Sequence, residues 1–418
     1  MSRARLIFAF ASFILLGVTS GVAGVLIPSQ MADYQVNKVT IGTMFFTFSA
    51  GYVLSGVGNG SLIRWLGARG QLALGAAVTG CLAYGIGLRP SFVVLLIANI
   101  GLGFGTGILD AGLNAYLTTL PNHTTLLNLL HAFFGVGALI GPVLATALLH
   151  AHRPWQDVYL LLAVAAVPLL AGFLTLFPSR IAQVPEEEEH PAFEGRRAPL
   201  SAALRHPTVW LAATFLCLYV GIEVTVGDWS FSLLTQQKGA GELLAGYVVS
   251  GYWLGLTLGR FLLNASATRA GIGVVAMMYG CLAGVGVATL LTWLGPGSVL
   301  VTIGFGLIGF FLGPVFPTTI AVLPRLAPAR LVPTAVGLLV GASVIGGAVF
   351  PWLAGSLAQG LGLGSLLPYT LVLSVLLAIV WSTIGRRIRS VAGPAGGELT
   401  DDGGGLDRIR TATDSQAH

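Results

Sequence analysis

The stretch Gly103–Leu117, GFGTGILDAGLNAYL, decides how the rest of the chain is read. It is apolar and laced with glycine, yet it carries Asp110 and, four residues later, Asn114. A carboxylate in the middle of such a segment needs an explanation, and the surrounding composition supplies its terms. Hydrophobic residues make up 55% of the 418-residue chain and charged residues only 9%, with a mean hydropathy of +0.85. Soluble proteins carry roughly 25% charged residues. Apolar runs of about 20 residues recur along almost the whole length, each able to cross a hydrocarbon layer roughly 30 Å thick. The chain reads as an all-α integral membrane protein.

Alternating β-barrel strands would not give such continuous runs. The first run, Leu6–Ile27, exceeds a signal-peptide core and no small-x-small cleavage site follows it, so it is read as a retained span. Cys81, Cys217 and Cys281 fall inside predicted spans and far apart, as apolar packing residues and not as a disulfide or metal set. No cofactor is expected.

Apolar runs between polar punctuation predict twelve transmembrane helices. The first six cover about residues 6–27, 41–62, 71–89, 91–119, 125–149 and 157–177. The second six cover about 208–235, 243–264, 271–294, 298–323, 333–357 and 364–386. The expected organisation is therefore a six-helix bundle over 1–177, a linker over 178–207, a second bundle over 208–389 and a disordered tail over 390–418. The linker contains the run Glu186–Glu189.

Basic residues orient the chain. With the N-terminus inside, the outer side keeps only Lys38, Arg89, Arg153 and Lys238, and 17 of the 21 Lys and Arg fall inside, Arg260 among them. That division obeys the positive-inside rule. It places both termini in the cytoplasm and makes the basicity a topology signal, not a nucleic-acid patch. A direct repeat runs faintly at an offset of 204, pairing Gly42 with Gly246, Gly51 with Gly255, Gly67 with Gly271 and Gly137 with Gly341. Six spans, a linker and six more is the layout of transporters built from two parallel, pseudo-symmetric halves.

The loop Gly60–Arg69, GSLIRWLGAR, resembles the G-x-L-x-D-R-x-G-R-R signature of the major facilitator superfamily at the same place. Gly60, Leu62, Gly67 and Arg69 fit, while Arg64 and Trp65 stand where the signature has Asp and Arg. The segments LDAGLNAYL and LLNLLHAFFGVGALIGP are similar to spans four and five of the fucose-permease-like branch. That resemblance implies proton-coupled sugar transport, with an acid of the fourth span, here Asp110, in the substrate and proton machinery. The branch also has an acid in its first span, where this chain has Gly24.

The residues themselves carry a compatible reading. An ionisable group inside a membrane costs at least ~2.5–3.5 kcal/mol on insertion scales and should face a partner or a water-filled cavity. Of the 16 acids, Asp110 and Glu223 fall well inside predicted spans, and Asp228 is assigned to a span end. Asn114 shares the Asp110 face one turn away. The plain alternative for both is a polar clasp between helices. Glu223 is expected to face the central cavity from span seven. Trp229 is read either as a platform for a sugar ring or as an interface anchor. Asn128 and His131, at i and i+3 on span five, are read either as an inner polar layer with Asn114 or as ordinary interhelical hydrogen-bonding residues. His131 is a second candidate for handling protons. The glycine strings, including GFGLIG at Gly304–Gly309, read as close helix packing and not as nucleotide loops.

These readings converge on a secondary active transporter, expected to act as a monomer in the cell membrane and to move a small polar solute, sugar first, with protons. Export of amphipathic drugs and a membrane sensor that kept the fold are the alternatives.

Overall fold

The computed structural model describes residues 3–179, 200–295 and 297–392. Its helices are α1 (Arg3–Tyr34), α2 (Lys38–Ile41), α3 (Thr43–Gly87), α4 (Phe92–Thr118), α5 (His123–His150), α6 (Gln156–Leu176) and α7 (Leu200–Leu204). They continue as α8 (Pro207–Ser232), α9 (Glu242–Arg269), α10 (Val274–Leu294), α11 (Gly297–Leu312), α12 (Val315–Val322), α13 (Val332–Leu361) and α14 (Leu366–Ala392). Most of the expected linker, with Glu186–Glu189, and the tail beyond 392 lie outside the described residues.

Among the described residues, ten helical stretches are long and apolar enough to cross a membrane. One of them, Lys38–Gly87, makes two passes. It folds back at Gly67, whose φ of 67° is open to glycine without strain. The remaining pass is α9, which carries Arg260 in its interior. The twelve crossings expected from the sequence are thus present, in two six-helix bundles. Pro314 marks the break between α11 and α12, because proline disrupts the helical ladder.

Glycines set the distances inside each bundle. Gly51 on α3 abuts the Ile100 carbonyl and Gly103 on α4 abuts the Phe48 carbonyl, so a Cβ at either would strike backbone. The second half repeats this seam: Gly255 on α9 abuts the Gly306 carbonyl and Gly309 on α11 that of Tyr252. Such close approach lets helices associate in lipid through dispersion contacts. Gly67 and Gly271 share a left-handed φ, 67° and 65°. The fourth repeat pair does not hold. Gly137 abuts the Ile14 carbonyl, but Gly341 meets nothing within 4 Å, and Gly346 fills the equivalent place against the Cys217 carbonyl.

The two ends of the molecule differ. At the face carrying the termini, three arginines tie helix ends within each half. Arg5 donates to the Leu176 carbonyl at 2.7 Å, Arg69 to the Phe177 carbonyl at 2.7 Å and Arg387 to the Thr208 hydroxyl at 2.8 Å. At the far face the halves meet each other. The Lys38 backbone N–H donates to Gln359 at 3.1 Å and the Ser250 hydroxyl to the Leu139 carbonyl at 2.8 Å. Phe46 packs edge-on to Trp352 at 5.6 Å, Gly42 sits against Trp352, and Gly246 against Thr146. These contacts join the two halves toward the far side. Toward the terminal face, Leu54, Val57, Leu129, Phe261 and Leu262 are exposed.

Candidate functional site

α4 carries Asp110 eight residues before its end at Thr118 and so about 12 Å in. Asp110 is half-buried and its carboxylate is well satisfied. The Tyr52 hydroxyl, from α3, donates to Oδ2. Asn114 Nδ2 donates to Oδ1 and to the Asp110 carbonyl, both at 2.9 Å. His131 on α5 is exposed, stands edge-on to Phe13 of α1 at 5.6 Å, and is close enough to Asp110 to interact electrostatically. Asn128, one turn further toward the terminal face, is exposed and joins none of these contacts. The expected layer of Asn114, Asn128 and His131 is therefore not assembled: Asn114 turns to Asp110 because the i,i+4 geometry brings its amide onto the carboxylate.

α8 delivers a second group. Glu223 is half-buried, 16 residues after Pro207 and about 24 Å along the helix. Its backbone carbonyl accepts from the Tyr252 hydroxyl at 2.9 Å. Tyr219, one turn earlier, is fully buried beside Phe316 at 6.2 Å. Its hydroxyl lies close enough to Glu223 and Arg260 to interact with both, but without a hydrogen bond of good geometry. Arg260 stands nine residues inside the end of α9, half-buried, with Nε reaching the Gly313 carbonyl only at 3.5 Å. Counting Arg260 with the loop charges was thus wrong. It lies within electrostatic range of Glu223 in its own half and of His131 in the other.

Trp229 and Asp228 belong to the contact between the halves. Trp229 is 1% exposed, donates its indole N–H to the Pro351 carbonyl at 2.8 Å and lies 6.5 Å from Phe45 across the seam between the halves. Asp228, four residues before the end of α8, is buried, with its backbone set against Gly24 of α1. Only glycine there lets the two helices approach so closely.

The family profile of the Major Facilitator Superfamily matches residues 8–241, more than half of the chain. The chain belongs to the major facilitator superfamily. Among curated proteins it is similar to Bypass of stop codon protein 6 of Saccharomyces cerevisiae, 25% identical over 93% of this chain and 83% of that one. It is also similar to a glucose/galactose transporter of Brucella abortus, 26% identical over 85% and 89%. Among solved structures, a bacterial homolog of the human lysosomal transporter Spinster in an inward-facing, unoccupied conformation superposes with a TM-score of 0.76. That match has 15% identity and covers 94% of this chain and 99% of that one. The nucleoside transporter NupG superposes with a TM-score of 0.73 at 14% identity, over 92% and 99%. This superfamily member is a membrane transporter of small molecules and not an enzyme.

Three residues of the site escape a reading of the sequence. Tyr52 carries no signal that ties it to Asp110, since only packing of α3 on α4 joins them. Tyr219 was legible in principle, four residues before Glu223. Arg260 was visible as a charge inside a predicted span, and its sign hid it among the topology arginines.

Proposed function

We propose that this chain is a proton-coupled secondary transporter of a small polar solute, with sugar as the first class. Asp110 carries the proton, and the solute occupies the space between Asp110 and Glu223. The halves 1–177 and 208–389 act as the two rocking bodies, with 178–207 joining them on the cytoplasmic side together with both termini. The observation that carries this reading is Asp110 itself. It is an intramembrane carboxyl held by Tyr52 and Asn114, within electrostatic range of His131 and without a cation within ion-pair distance among the described residues. An acid in an apolar span that keeps its own donors is suited to taking up and releasing a proton as access alternates. The glucose/galactose transporter of Brucella abortus supports sugar as the solute class.

Export of amphipathic solutes is the second reading. It is favoured by an apolar groove of about 680 Å³ between α5 and α9, lined by Leu139, Val143, Leu144, Tyr247 and Leu254.

Uptake of labelled glucose and galactose into proteoliposomes, with and without an inward proton gradient, tests the proposal. Gradient-stimulated accumulation is the expected result. Gradient-driven extrusion of a fluorescent amphipathic dye, with no sugar uptake, would favour the second reading. Cysteine labelling from outside intact cells should reach positions near Lys38, Arg153 and Lys238, and labelling near Glu186–Glu189 would reverse the orientation.

A further inference from the structure

We infer that Glu223, Tyr219 and Arg260 form a site for the carboxylate of an acidic sugar. The inference rests on the proton-coupled sugar reading and narrows its substrate. Arg260 presents a planar fork of five N–H donors, and the long contact to Gly313 occupies one of them. The ion pairs among the described residues are Arg89–Asp33 and Arg153–Asp157, both at the far face, so no carboxylate is in contact with Arg260. Beside it the Tyr219 hydroxyl is fully buried and without a hydrogen bond of good geometry. A buried hydroxyl is costly to leave without a hydrogen bond, and this one lies beside an acid and a guanidinium.

A donor fork, a free hydroxyl and a nearby acid fit one ligand better than the others. Guanidinium geometry matches a carboxylate with two parallel hydrogen bonds, and Tyr219 can donate to the same group. The titratable groups around Glu223 are Tyr219 on its own helix and Tyr252 and Arg260 on α9, with His131 facing Arg260 from α5. When Glu223 holds a proton, Arg260 is the uncompensated charge and a ligand carboxylate neutralises it. When Glu223 is ionised, it competes for Arg260 and the ligand is released.

Binding of labelled glucuronate and labelled glucose to the purified full-length protein in nanodiscs tests this. The wild type should bind glucuronate at least tenfold more tightly than glucose at pH 6. Arg260→Gln should abolish glucuronate binding, while Arg260→Lys, which keeps the charge but not the fork, should retain part of it. A thermal unfolding midpoint close to the wild type's shows that the Gln variant is folded. If glucose binds and is accumulated but glucuronate does not bind, the carboxylate site is overturned and the sugar-transport reading stands. If neither sugar binds and neither is accumulated with a proton gradient, both are overturned.

Discussion

The two halves hold their acids in different ways. In the first, the Asp110 carboxylate is enclosed by its own bundle, with Tyr52 on one oxygen and Asn114 on the other. In the second, Glu223, Tyr219 and Arg260 lie near one another without a hydrogen bond of good geometry or an ion pair. A completed cluster functions with no further partner, which suits a group that binds only a proton. An uncompleted cluster in a membrane carries unspent hydrogen-bonding capacity, which suits a group that waits for a ligand. Pseudo-symmetry has preserved the glycine seams of the two bundles while their polar interiors diverged.

The largest effect that separates the halves is expected from Glu223→Gln. It strips Arg260 of its internal counter-charge, and an uncompensated arginine costs at least ~2.5 kcal/mol on insertion scales. That corresponds to on the order of 50-fold in an equilibrium, so solute accumulation should fall by about that factor while ligand binding persists. Accumulation within threefold of wild type in proteoliposomes would remove the second cluster from the mechanism. Next in size is Tyr52→Phe, which deletes one hydrogen bond to a charged group, worth about 1.5–3 kcal/mol. Uptake should fall roughly tenfold and its pH profile shift by about one unit. An unchanged profile across pH 5 to 8 would mean that Tyr52 does not tune Asp110. Asn128→Ala is expected to have the smallest effect, under about twofold on uptake, because an exposed side chain away from special contacts contributes within ±0.5 kcal/mol. A tenfold loss there would show that an inner polar layer forms in another conformation.

Much of this was legible in the chain. Hydropathy located the twelve crossings, and the offset of 204 found real structural equivalences: Gly51 and Gly255 meet backbone in matching seams, and Gly67 and Gly271 turn with the same φ. Span length and glycine spacing are local properties, so the sequence displays them. The site was only half legible. Asp110, Asn114 and Glu223 stood out because polar groups in apolar spans are rare. Tyr52 and Tyr219 did not, since a tyrosine is ordinary in a span and becomes functional only through a neighbour on another turn or helix. Trp229 had two readings, and its contact with the Pro351 carbonyl beside the close approach of α1 and α8 at Gly24 favours the interface one.

The central claim is that Asp110 carries the coupling proton, and one substitution tests it most directly. Asp110→Asn keeps the shape and both hydrogen-bonding neighbours but removes the titration. In proteoliposomes, the variant should lose proton-driven accumulation of labelled solute while solute exchange across the membrane, measured with no gradient, stays within about threefold of wild type. A variant that still concentrates solute with full pH dependence would contradict the account and reduce Asp110 to a clasp between α3 and α4.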